Sequence, residues 1–136
     1  MYTYSVALSS SGRKYARTPD GVASKKLGLR VTLLPPGVVS PSEAIGSEPV
    51  YHLFVARVTR RDAFRAHLAE RGVSTAVHYP IPLHLQPAFR YLGLGPGSFP
   101  IAERLSSEVV SLPMHPFLDR SQVQYIADAA AEFLRA

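Results

Sequence analysis

The side chains best suited to bind a ligand lie in one proline-rich segment, residues 78–87. It reads His78-Tyr-Pro-Ile-Pro-Leu-His84-Leu-Gln-Pro87, and its three prolines favour an extended backbone. The segment directly follows a predicted strand, and loops at strand ends are where rigid scaffolds usually place recognition groups. The alternative is a structural turn in which the histidines contact backbone carbonyls. The residues by themselves favour neither interpretation over the other.

Other kinds of site find less support. A metal site is disfavoured because His78 and His84 lack the i, i+4 spacing of helical ligands and no carboxylate lies in the loop. The run Gly93-Leu-Gly-Pro-Gly97 is interpreted as a turn, because Pro96 removes a backbone donor and no Gly-Lys-Ser/Thr follows. A Ser-His-Asp triad stays open on spacing, but the chain contains no Gly-x-Ser-x-Gly elbow.

Composition limits the class of protein. The 136 residues suffice for one domain with a core, and the absence of cysteine excludes disulfides, thiolate nucleophiles and Cys-type zinc sites. No apolar run approaches the roughly 20 residues of a membrane helix, and the N-terminus lacks a secretory pattern. We therefore expect a cytoplasmic protein without membrane contact. The net charge is +5, but the basic residues never occur in a run longer than a pair. This distribution argues against nucleic-acid binding.

The chain divides in two by composition. Residues 1–49 are rich in Ser, Gly and Pro, so we expect an irregular N-terminal extension with one candidate strand at 29–34 and with 1–26 poorly ordered. In residues 50–136, residues that typically end helices and strands recur between apolar segments, so this part is expected to form the folded domain. Its predicted elements are a strand at 50–58, a helix at 61–71, a strand at 73–78, a helical turn at 87–91, a helix from 98–100 onward, a strand at 111–114 and a helix from 119.

This order of elements predicts an α/β (α+β) fold in which helices cover one face of a short β-sheet. His52 alternates with the apolar residues of the first strand, so we expect a partly buried structural histidine. Ser98 is the expected N-cap of the helix that follows it. Asp119, with Gln122 three residues later, predicts a capping box at the start of the last helix.

The ordered motifs of the second part resemble one known family. They are Val50-Tyr-His-Leu-Phe-Val-Ala-Arg-Val58, Leu68-Ala-Glu-Arg-Gly72, the proline-rich segment, Phe99-Pro-Ile-Ala-Glu103 and Ser111-Leu-Pro-Met114. Together they resemble the C-terminal end of the DegT/DnrJ/StrS aminotransferases, enzymes that use pyridoxal phosphate (PLP) to aminate keto sugars attached to nucleotides. The resemblance covers residues 50–136, with a fainter echo at 29–36.

The resemblance implies the small C-terminal domain of a fold-type I PLP-dependent transferase. In that family a large domain binds PLP through a Schiff base to a lysine. The lysines of this sequence are Lys14, Lys25 and Lys26, and none lies in the family's lysine motif. We therefore expect no catalytic residue, no cofactor-binding residue and no covalently bound PLP in this chain. It follows that the chain alone should have no transaminase activity.

The resemblance also implies a role for the proline-rich segment, because in the family this segment reaches toward the active-site cleft. His84 then resembles a residue that faces the substrate, with His78, Tyr79 and Gln86 nearby. Their donors and acceptors would suit sugar hydroxyls or the carboxylate of a glutamate amino donor. The implied partners are a large PLP-binding domain or aminotransferase subunit and a nucleotide sugar.

Three functions are to be weighed, of which the third is disfavoured by the charge distribution. The first is a truncated or split sugar-nucleotide aminotransferase, which predicts an exposed apolar surface where the large domain docks. The second is a stand-alone module that binds a sugar nucleotide or another protein and reuses the small-domain fold. That module would need residues 1–49 to replace the missing docking surface. A nucleic-acid binder is a third candidate and would show a steep salt dependence of binding.

Overall fold

The computed structural model of the protein describes residues 34–42, 52–115 and 117–136, together with the backbone of two short strands. These strands, β1 (Val6–Leu8) and β2 (Lys14–Ala16), pair antiparallel, a hairpin that the sequence analysis did not predict. The candidate strand at 29–34 lies outside the described residues except for Leu34. The predicted boundary between residues 49 and 50 also lies outside them and stays a prediction.

A short antiparallel sheet forms the centre of the domain. Strand β3 (Phe54–Arg57) pairs with β4 (Val109–Leu112) along its whole length. Single β-bridges extend the sheet at both edges, at Val39 beside β3 and at Ala76 beside β4. Because Ala76 leads directly into the proline-rich segment, the sheet fixes where that segment begins.

In the part of the chain that the structure describes, three α-helices accompany the sheet. They are α1 (Arg61–Glu70), α2 (Pro100–Glu108) and α3 (Arg120–Arg135), and two 3-10 turns lie between α1 and α2 at Leu83–Leu85 and Pro87–Leu92. Helices α1 and α3 pack against each other. None of the helices described is long and apolar enough to cross a membrane.

The hydrophobic core lies between the sheet and helices α1 and α3. Its most deeply buried large side chains are Phe54, Val58, Phe64, Leu68 and Val110. The ring of Phe64 meets that of Phe133 edge to face, with 5.3 Å between the centroids, a geometry that aromatic pairs favour. Val38 also belongs to this core, so residues 34–42 pack with the domain although they precede the predicted boundary.

The ends of the helices follow local sequence signals. Asp119 accepts the backbone N–H of Gln122, and the Gln122 side chain accepts that of Asp119, so the predicted capping box is confirmed. Gly72 follows α1 with a positive φ of 71°, a conformation open to glycine without strain. Its N–H donates to the carbonyl of Ala69, which ends the helix where the sequence indicated.

Buried Arg61 positions α2 relative to the sheet. Its guanidinium donates to the carbonyls of Ser106 and Val109, both at 3.1 Å, and also pairs with Asp62. Ser106 lies in the last turn of α2, where carbonyls lack partners within the helix. Arg61 therefore fixes the junction through which α2 passes directly into β4.

Three local predictions are wrong. The strand predicted at 73–78 is only the bridge at Ala76, because the chain leaves the edge of the sheet before a second pair can form. His52 is exposed rather than partly buried, since β3 begins two residues later and the alternation does not extend back to it. Ser98 is not the N-cap of α2; Phe99 occupies that position, and the Ser98 hydroxyl accepts the N–H of Gly95 instead.

Candidate functional site

His84 is the most strongly fixed residue of the proline-rich segment. It lies in the 3-10 turn Leu83–Leu85 with only 7% of its surface exposed. Its Nε2 atom is 3.0 Å from Oε1 of Glu103 in the first turn of α2. Its ring packs edge-on against Phe99, with 4.9 Å between the centroids. Packing and a hydrogen bond together hold the ring in one orientation, although the segment itself is a loop.

Glu103 joins three parts of the site. Besides contacting His84, its carboxylate accepts the N–H of Gly97 at 2.9 Å and that of Phe99 at 3.1 Å. Phe99 occupies the N-cap but has no side-chain acceptor, so Glu103 satisfies donors that a Ser or Asp would otherwise satisfy. The bonds from Gly97 and Phe99, followed by that from His84, lower the pKa of Glu103 against the opposing effect of partial burial.

His78, at the other end of the segment, is tied to the sheet. Its Nδ1 atom lies 2.8 Å from Oγ of Ser111, a buried residue of β4. Ser111 also exchanges two backbone hydrogen bonds with Ala76, of 3.2 and 2.8 Å. His78 is therefore anchored at the point where the chain leaves the sheet, through a hydroxyl and not through a backbone carbonyl.

The other two candidate residues are less constrained. Tyr79 is 72% exposed, and its ring lies edge-on to that of His78 with 5.6 Å between the centroids. Gln86 is half-buried and connects the two 3-10 turns through its backbone, which donates to the carbonyl of Leu83 and accepts the N–H of Phe89. The structure thus places His78 beside Tyr79 and His84 beside Glu103.

Residues 79–101, which we call the apolar arm, contribute no side chain to the hydrophobic core. Of the eleven large apolar side chains that are exposed in the described residues, eight lie in this arm. They are Tyr79, Ile81, Leu83, Tyr91, Leu92, Leu94, Phe99 and Ile101. Concentrated exposed apolar surface typically marks an interaction site, so the arm is the part of the domain most suited to pack against another body.

Residues 34–136 do not by themselves offer the usual covalent anchor for PLP. Residues 34–136 contain no lysine, the side chain that would anchor the cofactor. One cavity holds about 20 Å³ and has an apolar lining of Leu34, Phe54, Leu112, Pro113, Val123, Ile126 and Ala127. A surface groove beside α3 is lined by several charged side chains, of which Arg71 and Glu132 are paired with each other. Within the described part of the chain, no three His, Asp or Glu side chains group as metal ligands.

Glu103 and Ser111 were not predicted as members of the site. A signal for Glu103 did exist: a helix that begins after Phe99, without a side-chain cap, needs another acceptor for its first N–H groups. An acidic residue in that first turn can supply it. No comparable signal exists for Ser111, which lies 33 residues from His78 and meets it only because β4 and the bridge at Ala76 are neighbours.

Comparison with known proteins identifies the relatives of this domain. Residues 34–131 match the DegT/DnrJ/EryC1/StrS aminotransferase family. The chain belongs to this family. It is 46% identical over 100 residues to the dTDP-3-amino-3,4,6-trideoxy-alpha-D-glucose transaminase of Streptomyces venezuelae, covering 72% of this chain and 26% of that protein. It is equally 46% identical over 98 residues to a pleiotropic regulatory protein of Geobacillus stearothermophilus, again covering 72% and 26% of the two chains.

Solved structures of DegT/DnrJ/EryC1/StrS aminotransferases share the fold. The crystal structure of DesV from S. venezuelae, in complex with a ketimine intermediate, superimposes with a TM-score of 0.79 at 39% identity, over 86% of this chain and 32% of that one. The predicted family and fold class, helices with a short sheet from part of a fold-type I PLP-dependent aminotransferase, are confirmed. The chain spans about a quarter of the length of the curated relatives it matches.

Proposed function

We propose that this chain supplies the small-domain part of a PLP-dependent sugar-nucleotide aminotransferase and functions together with a larger, PLP-binding part. The relatives that share its fold are much longer, since the matched part of this chain covers 26% of one transaminase and 32% of DesV. The rest of such an enzyme would supply the lysine that residues 34–136 lack.

The observation that carries this proposal is the apolar arm. Eight large apolar side chains of one segment are exposed while the core of the same domain is closed without them. Burying a large apolar side chain stabilises a complex by about 1.5–3 kcal/mol before the costs of association. A PLP-binding part seated on the arm would bury several of these side chains and place His84 and Tyr79 near the cleft between the two parts.

In the assembled enzyme, His84, His78, Tyr79 and Gln86 would line the side of the pocket that receives the nucleotide sugar. Imidazole, phenol and amide groups match the hydroxyls of a sugar in hydrogen-bonding capacity. The chain by itself offers only one wall of that pocket, and a half-pocket covers little ligand surface while most of the cost of association remains. Binding by the isolated chain should therefore be weak. A cytoplasmic location belongs to the same proposal.

Incubation of the purified chain with PLP, glutamate and a nucleotide-linked keto sugar tests the first consequence. We expect no amino sugar by mass spectrometry. Steady turnover of the keto sugar would contradict the proposal.

A second experiment separates this function from that of a stand-alone sugar-nucleotide-binding module. The imidazole resonances of His78 and His84 are followed by NMR while dTDP- or UDP-linked sugars are added to the isolated chain. The aminotransferase proposal expects small, unsaturated shifts at millimolar ligand. Saturable binding at micromolar concentration would favour the stand-alone module instead.

A further inference from the structure

The contact between Glu103 and His84 constrains the chemistry that His84 can offer to a ligand. An ionised carboxylate has no hydrogen to give, so it can only accept hydrogen bonds. The 3.0 Å contact with Oε1 of Glu103 therefore requires the proton to be on Nε2 of His84. In a neutral imidazole only one nitrogen carries hydrogen, so Nδ1 of the same ring must then be an acceptor.

The surroundings of Glu103 keep it an acceptor. Its two oxygens already receive the N–H groups of Gly97 and Phe99, which point at the carboxylate from the start of α2. Anionic side chains are favoured at the N-terminus of a helix, where the backbone N–H groups lack partners within the helix. A protonated carboxyl would be a weaker acceptor for these donors, so the backbone itself opposes protonation.

The second ring nitrogen of His84 is available for a ligand. Among the described residues, the ring makes no hydrogen bond besides the one to Glu103. No fully buried side-chain nitrogen or oxygen in that part of the chain lacks a partner, so Nδ1 keeps a narrow opening to the surface within the 7% of His84 that is exposed. His84 is thus held at one nitrogen and open at the other.

We propose that Glu103 is a positioning residue that fixes His84 as the Nε2–H tautomer, so that Nδ1 presents a hydrogen-bond acceptor to the substrate. This inference rests on the proposed function, in which the ligand is a nucleotide sugar. The group that His84 holds is then a donor, a hydroxyl or an amino N–H of the sugar. For the neutral ring, an ionised phosphate or the carboxylate of the amino donor does not match, because neither has a hydrogen to offer to Nδ1.

His78 provides a comparison within the same protein. Its Nδ1 atom contacts the hydroxyl of Ser111, which can either donate or accept. That contact does not select a tautomer. The two histidines of one segment should therefore differ: His84 is locked by a carboxylate and His78 is not.

The test is a long-range ¹H–¹⁵N NMR spectrum of the isolated 136-residue chain at about pH 8, where an ordinary imidazole is neutral. We expect the Nε2–H form of His84 to exceed the Nδ1–H form by roughly tenfold or more, as a charge-assisted hydrogen bond implies. In Glu103→Gln the amide can turn its NH2 group toward Nε2, and the ratio should fall toward unity or invert. Glu108→Gln, on the same helix but bonded to Arg57, should leave the His84 pattern unchanged.

Each outcome is decisive for Glu103. A wild-type His84 that is mainly Nδ1–H, or an unchanged ratio in folded Glu103→Gln, would overturn the inference. Should that variant fail to fold, the wild-type ratio at His84 measured against that at His78 still decides: equal ratios contradict a carboxylate lock. None of these spectra requires substrate, so the lock can fail while the aminotransferase proposal stands. Conversely, if His84 is held as the Nε2–H tautomer but the chain does not function with a PLP-binding part, only the proposed function is overturned.

Discussion

The Nε2 atom of His84 lies 3.0 Å from the carboxylate of Glu103, although 19 residues separate the two along the chain. The intervening segment is the greater part of the apolar arm, which has no anchor in the core. This contact closes the arm into a loop, and the same carboxylate binds the backbone of Gly97 and Phe99. The side chain of Glu103 therefore helps to hold the apolar arm in place through three hydrogen-bonded partners, His84, Gly97 and Phe99.

The stability of this loop should depend on pH through Glu103. The pKa of Glu103 is lowered from its ordinary value of 4.5, chiefly by the backbone N–H of Gly97 and then by that of Phe99. A carboxylate whose folded pKa is depressed adds stability that is fully present above the unfolded value and is lost as pH falls through the folded value. Tm measured by circular dichroism should thus be level near neutral pH and decline below about pH 4.5.

Glu103→Gln should flatten that decline and lower Tm at pH 7, because the amide keeps an acceptor but loses the charge. Glu70→Gln is a matched control, since the Glu70 side chain is 76% exposed and lies on a different helix, α1. A variant at Glu103 that retains the full acid sensitivity of the wild type would show that this carboxylate does not contribute to it.

Removal of the Phe64 ring should be the most costly single change in the core. Phe64 is fully buried and packs edge to face on Phe133, so Phe64→Ala should lower the free energy of unfolding by about 3–5 kcal/mol. Urea denaturation followed by circular dichroism measures this. Tyr91→Ala, at a side chain that is 78% exposed, should cost no more than about 0.5 kcal/mol; equal losses for the two variants would contradict the assigned core.

The apolar arm should make the isolated chain self-associate. Substituting serine for Leu83, Tyr91 and Ile101, which are 63%, 78% and 67% exposed, should reduce the mass observed by light scattering and the fluorescence of a bound apolar dye. Because none of the three lies in the core, the far-UV spectrum should persist. Phe117→Ser, equally exposed at 72% but outside the arm, is the control. If that control reduces association as much as the triple variant does, the arm is not the interaction surface.

The helices of this domain could be predicted because their signals are local. Helix α1 follows the spacing of Phe64 and Leu68 and ends before Gly72, and α3 begins at the Asp119 capping box. The predicted limits of the strands were less accurate, because an apolar run does not show which of its residues will pair with a neighbouring strand. The run at 73–78 meets β4 only at Ala76 and then departs.

The candidate site was predictable in its residue types but not in its contacts. The prolines of the segment indicated that His78 and His84 lie on a conformationally restricted backbone after the edge of the sheet. In the structure His78 is bonded to Ser111 of β4, and His84 lies in a 3-10 turn. Their partners, Ser111 and Glu103, come from β4 and α2. These contacts depend on how the arm returns to the sheet, through turns at Gly93 and Gly97 with positive φ of 65° and 89°. Contacts that depend on tertiary structure in this way produce no periodic pattern in the sequence.

The most direct test of the proposed function is a chimera of the S. venezuelae transaminase in which the matched segment is replaced by residues 34–131 of this chain. If the proposed function is correct, the chimera will fold, bind PLP and carry out the transaminase's own reaction at a measurable rate. His84→Ala in the chimera should lower kcat/KM at least tenfold, as the loss of one directed hydrogen bond to the substrate implies, whereas His52→Ala should not. A folded, PLP-loaded chimera without transamination, or one indifferent to His84, would contradict the account.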